Sequence, residues 1–125
     1  MKINNNVTLQ SLQQAFSQTF PGLRIEFYAA HHDLGKGSPK GTALEPHLLV
    51  KDARSSQQEG EIDLDPNMSV GAFEETLEKQ FGLNAQVFRK SGVSWMQTTA
   101  TDHWTLSKQS CKGTASEKHY QEKYY

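Results

Sequence analysis

Four of the five histidines, His31, His32, His47 and His103, and the carboxylates of Glu26, Asp33 and Glu45 are residue types that bind transition metals through imidazole nitrogen and carboxylate oxygen. Their spacing does not build a ligand set. His31 and His32 are adjacent beside a loop, and solvated or hydrogen-bonded surface histidines account for the pattern, so no metal ligand and no cofactor is assigned. A second chemistry is suggested by Leu34-Gly35-Lys36-Gly37-Ser38-Pro39-Lys40-Gly41, where glycines free backbone N–H groups for an anion and lysines supply charge. The segment is not a phosphate-binding loop of the Walker type, because neither lysine is followed by Ser or Thr and no strand leads through it into a helix. Arg89 and Lys90 form a second basic pair. Lys36, Lys40, Arg89 and Lys90 are therefore the candidate binding residues for an anion or an acidic partner. Nucleophilic catalysis finds no support: Cys111 has no histidine nearby in sequence, and the serines and threonines lack a strand-to-helix elbow. Asp63 and Asp65 precede a helix, where carboxylates favour its positive N-terminus. Tyr28, Phe88, Trp95 and Trp104 are read mainly as core, with an aromatic ligand surface as the alternative.

Composition narrows the classes that remain. A chain of 125 residues fits one domain with a core of its own, and 13 basic against 14 acidic residues leave a net charge of −1. That balance does not provide the positive field of a sequence-independent nucleic-acid binder. One cysteine cannot form an internal disulfide, which fits a reducing, cytoplasmic setting. The polar start Met1-Lys2-Ile3-Asn4-Asn5-Asn6 lacks the apolar stretch of a secretory signal, and no run approaches the ~18 apolar residues of a membrane span. The expectation is a soluble protein that begins where its gene begins, with no membrane and no nucleic-acid partner.

The elements that must position these residues follow from periodicity. Leu9, Leu12, Phe16 and Phe20 recur at spacings of three and four, which predicts an amphipathic helix capped by Thr8 and stopped by Pro21-Gly22. Leu23, Ile25 and Phe27 then alternate with Arg24, Glu26 and Tyr28, the pattern of a strand with one buried face. The same grammar returns: Ser69 as cap, Val70, Phe73, Leu77 and Phe81 as stripe, Gly82 as stop, and Leu83, Ala85 and Val87 alternating with polar residues and Phe88. Residues 61–65 read as a short strand before the second helix, with Met1-Lys2-Ile3 as its counterpart. Arg89-Lys90-Ser91-Gly92 reads as a compact turn into a hairpin strand over residues 93–99. A short helix is expected over residues 101–109, and residues 45–52 are open between a helical turn and a buried strand. Residues 54–60 read as a polar loop, and residues 113–125 as a polar tail, frayed or weakly helical.

Aligned with a one-residue gap at Pro21, the two units pair Phe20 with Phe81, Gly22 with Gly82 and Leu23 with Leu83. The resulting expectation is an α+β fold: a mainly antiparallel sheet with helices on one face, readable as two fused β-α-β-β units. The domain spans 1–112, with repeat halves 1–60 and 61–112. Duplication of this kind invites comparison with the vicinal-oxygen-chelate enzymes, whose paired modules gather His and Glu around one metal. Here Glu26 aligns with Gln86 and no His or Glu recurs, so no ligand is transferred. The segment Phe81-Gly82-Leu83, Gln86 to Gly92, Trp95, Thr98 and Thr101 to Leu106 resembles a small bacterial protein family of unknown function. That resemblance implies the helix-strand-hairpin-helix order and no catalytic residue or cofactor. The functional expectation is a non-catalytic binding or interaction module of the bacterial cytoplasm, acting on a protein or a small anion and forming a homodimer; the alternative is a small metal- or anion-dependent enzyme with a duplicated-module fold.

Overall fold

The structure is a computed structural model that describes residues 1–29 and 43–124. In chain order its elements are β1 (Lys2–Ile3), α1 (Leu9–Thr19), β2 (Leu23–Tyr28), β3 (Gly60–Glu61), α2 (Val70–Phe81), β4 (Asn84–Ser91), β5 (Ser94–Gln97) and α3 (Leu106–Tyr124). Single 3₁₀ turns lie at Val50–Asp52 and Thr99–Thr101. Two antiparallel sheets result, one of β1 with β3 and one in the order β2-β4-β5. This is the expected α+β class.

The helices start where their caps dictate. Thr8 accepts from the Ser11 N–H at 3.2 Å and Ser69 from the Ala72 N–H at 3.1 Å, each satisfying a donor that the first helical turn leaves orphaned. Their apolar stripes meet beneath the larger sheet. Phe16 stacks on Phe73 with ring centroids 5.1 Å apart, and Leu12, Leu77, Ile25, Phe27, Val87 and Leu106 complete a core closed to solvent. Leu23, Ile25, Phe27 and Val87 face that core, and so does Arg89. Arg24, Glu26, Phe88, Lys90 and Trp95 lie on the opposite face, as the period of two requires.

Residues that the repeat alignment makes equivalent face each other in the larger sheet and beside the smaller one. Glu26 faces Gln86 in the β2–β4 register. Met1 and Ile62 donate to each other's carbonyls, both at 2.9 Å. Similar contacts occur outside the strands. An Asn4 side chain accepts from the Asn6 N–H at 2.9 Å before α1, and Asp65 accepts from the Asn67 N–H at 2.9 Å before α2. Thr8 bridges to Leu49 as Ser69 bridges to Thr105. Leu44 donates to the Phe27 carbonyl as Thr98 donates to that of Val87. These local contacts recur in the two parts of the chain.

Four local expectations change. Only Gly60–Glu61 of the segment before α2 is strand, because its pairing partner β1 is equally short. Arg89, Lys90 and Ser91 belong to β4, and the hairpin turn is Gly92-Val93; alternation continues because Arg89 turns inward and finds polar partners there. The last helix starts at Leu106, not at residue 101, since Thr101–Trp104 is held as a turn and Thr105 provides the cap, accepting from the Lys108 N–H at 3.1 Å. From there α3 runs on through Tyr124, so the polar segment after residue 112 is the C-terminal half of a helix. Its docking explains the length: Gly22, at φ +84°, lies so close to α3 that an added Cβ would stand 2.7 Å from the Thr114 nitrogen, and the Ser116 hydroxyl accepts from the Gly92 N–H at 2.9 Å. None of the described helices is long and apolar enough to cross a membrane.

Candidate functional site

The four basic candidates are distributed by the strand pleat. Lys36 and Lys40 lie outside the described residues, as do His31, His32 and Asp33. The described chain stops at Ala29 and resumes at Ala43, both beside Tyr28. Tyr28 pairs with Asn84, at the end of the sheet opposite Lys90. Arg89 and Lys90 are neighbours in sequence and project from opposite faces of β4.

Lys90 joins a cation–aromatic cluster on the outer face. Its ammonium stands 5.0 Å from the centroid of Trp95, its partner across the β4–β5 pair. Arg24, across β4 on the other edge strand, places its guanidinium 5.0 Å from Trp95 and 5.9 Å from Phe88. It also pairs with Glu26 at 3.1 Å. Sheet alternation is the cause: β2 sends Arg24 and Glu26, β4 sends Phe88 and Lys90, and β5 sends Trp95 to the same side.

Arg89 organises the inner face at the same end. It is 9 % exposed, and its Nη1 donates to Gln109 Oε1 at 2.8 Å and its Nη2 to the Met96 sulfur at 3.4 Å. Gln109, fully buried, is fixed in turn by donating to the carbonyl and hydroxyl of Thr101, each at 2.8 Å. The indole of Trp104 lies between two cations, with Arg89 5.5 Å and Lys108 4.1 Å from its centroid. Among the described residues Arg89, Lys90 and Lys108 have no carboxylate within salt-bridge distance. Three cations therefore surround the β4–β5 hairpin with aromatic and neutral partners only.

Beside them the hairpin tip and the end of α3 enclose an open groove of about 650 Å³, lined by Lys90, Gly92, Val93, Glu117, Tyr120 and Gln121 among others. The metal-ligand candidates do not converge. His47 and Glu45 pair with each other at 2.9 Å on the surface, Glu26 is held by Arg24, and His103 is exposed. Among the described residues no three His, Cys, Asp or Glu side chains come together. Asp65 makes the turn before α2, and Cys111 is exposed.

One titratable group was missed in the sequence. Glu74 on α2 accepts from the Val87 N–H at 2.8 Å, taking the donor that β5 leaves when the chain turns away after Gln97. Burial, opposed by that hydrogen bond and reinforced by nearby Asp102, pushes its carboxyl up to about 7. Its place among the polar residues of a helix gave no sign of this. The alignment offered a hint, since the equivalent Gln13 on α1 also turns to a sheet edge, donating to the Ile25 carbonyl at 2.9 Å.

Searches of protein-family models, curated proteins and solved structures find no match to this chain. The likeness to a small bacterial family drawn above rests on its residues alone.

Proposed function

We propose that the protein is a non-catalytic binding module that takes an acidic partner at the β4–β5 hairpin. The observation that carries this reading is the pair Lys90 and Lys108, solvent-accessible cations that lean on Trp95 and Trp104 rather than on carboxylates. A cation resting on an aromatic ring keeps most of its charge available, and such a contact is worth only about 0.5–1 kcal/mol at exposed sites. An incoming carboxylate therefore gains a charge partner without displacing one. The neutral net charge of the chain does not oppose this, since steering depends on the local field. A bacterial cytoplasmic setting is part of the same proposal, on the strength of the single, exposed Cys111.

The test is titration with poly-glutamate, followed by tryptophan fluorescence at low and high salt. Binding is expected to weaken with salt, because the Debye length shrinks to about 3 Å at 1 M. Replacing Lys90 and Lys108 by Ser is expected to weaken it at least about tenfold, which corresponds to ~1.4 kcal/mol. Replacing Lys36 and Lys40 by Ser measures the separate contribution of the glycine-rich segment. Equal binding by wild type and the Lys90/Lys108 variant, indifferent to salt, would remove the hairpin from consideration.

A further inference from the structure

We propose that the open edge of β5 receives an extended acidic peptide as a fourth strand, so that the partner is recognised by strand addition. This inference deepens the binding-module reading and rests on it. The three-stranded sheet has two edges, and the fold treats them differently. Along the outer edge of β2 the Leu23 carbonyl accepts from Ser17, the Ile25 carbonyl from Gln13 and the Phe27 carbonyl from the Leu44 N–H. The outward carbonyls of that edge are taken. At β5 the ladder phase sets what is left. Lys90 donates to the Gly22 carbonyl, so the main-chain groups of Lys90 and Phe88 point to β2, and those of Arg89 and Ser91 point to β5. Met96 and Ser94 answer the latter pair. Trp95 and Gln97 therefore turn their N–H and C=O groups outward, where no described residue meets them.

An unpaired edge is a template for another strand, and proteins that must avoid this place lysine, proline or a bulge there. Ser94-Trp95-Met96-Gln97 has none of these. Met96 is 42 % exposed and Val93, at the turn, 61 %. The charge around this edge selects the partner. Lys90 reaches over Trp95 on the outer face, and Arg89 reaches Met96 on the inner face with Lys108 below Trp104. Side chains of an added strand alternate between these two faces. Acidic residues at the outward-facing parity thus approach Lys90, which among the described residues has no carboxylate within salt-bridge distance, whereas basic ones meet like charge. Glu117 and Glu122 line the groove that Lys90, Gly92 and Val93 form with the end of α3, so the acidic peptide is directed to the β5 edge and not into that groove.

The experiment uses the full chain with two end-blocked peptides of about eight residues, one alternating Val and Glu and one alternating Val and Lys. Calorimetry is expected to show the Glu peptide binding and the Lys peptide at least about tenfold weaker; amide exchange at Trp95 and Gln97 is expected to slow by a similar factor in the complex. Gln97→Pro removes an outward N–H that the fold does not use, and proline is compatible with an edge position. This variant should keep its helical circular dichroism and lose the peptide. Lys90→Ser should weaken binding while leaving the exchange pattern of the residual complex unchanged. If the Glu peptide binds but Trp95 and Gln97 exchange as before and Gln97→Pro binds normally, strand addition is overturned and the acidic-partner reading stands. If neither peptide nor poly-glutamate binds, both fall. Equal binding of the two peptides overturns the acidic selectivity. Protection of Trp95 and Gln97 that rises with protein concentration alone makes a second copy the occupant and also overturns the proposal. Should Gln97→Pro unfold, the exchange measurement on the wild type decides by itself.

Discussion

Glu74 closes the end of a β-ladder with a carboxylate, and that choice has a pH signature. Its carboxyl is raised from the ordinary value to about 7, first by burial, so the folded state holds a proton that the unfolded chain has already released over the window between the two values. Stability from this group is consequently complete in acid and falls as pH rises toward 7. Gln13, at the equivalent place on α1, performs a similar edge contact with a neutral amide. Glu74→Gln keeps an oxygen for the Val87 N–H and removes the charge. The expected outcome is a variant more stable than wild type at pH 8 by roughly 1–2 kcal/mol, with the difference fading near pH 4.5. Urea titrations at the two pH values measure it, and parallel pH profiles would show that Glu74 titrates as in water.

At the scale of elements, the helices were legible because their stripes are made of large apolar residues at unmistakable spacing. Phe16→Ala and Leu77→Ala, both fully buried, are each expected to cost about 2–5 kcal/mol, while exposed Gln14→Ala stays within roughly 0.5 kcal/mol. Denaturant midpoints separate the two cases. What sequence could not reveal was the last helix beyond residue 112. Its polar composition has no stripe to read, because it docks through close backbone approach at Gly113 and Gly22 rather than through large side chains. The same holds for Arg89: basic residues near a turn read as solvent-exposed, and only Gln109 and Trp104, brought from α3 and its cap, make an inward arginine tolerable. Lys90 alone of the described pair reads correctly as accessible. Gly22→Ala tests the docking. It combines a left-handed φ with a 2.7 Å approach to the Thr114 nitrogen, so a loss of more than about 1 kcal/mol is expected, together with faster amide exchange after residue 112. Unchanged exchange there would mean that α3 does not depend on this contact.

At the scale of the molecule, both sheets join strands that are distant in the chain: β1 pairs with β3, and β2 with β4, which also carries β5. Neither half owns a complete sheet, and neither helix can bury its stripe until the other has arrived. This has a kinetic consequence. The pairs that define the fold are distant in the chain, Met1 meeting Ile62 across 61 positions and Leu23 meeting Arg89. Loop closure over such a span must precede the contacts that reward it, a situation that slows folding toward the millisecond-to-second range of roughly similar topologies. Local helix formation cannot provide a stable halfway state, so unfolding is expected as one transition, with fluorescence and circular dichroism giving the same midpoint. Displacement between those two curves would reveal a half able to stand alone. On the ribosome the first half emerges with its apolar helix face uncovered and must wait for the second, which makes the interval between the two the period in which the nascent chain is most exposed to association with others.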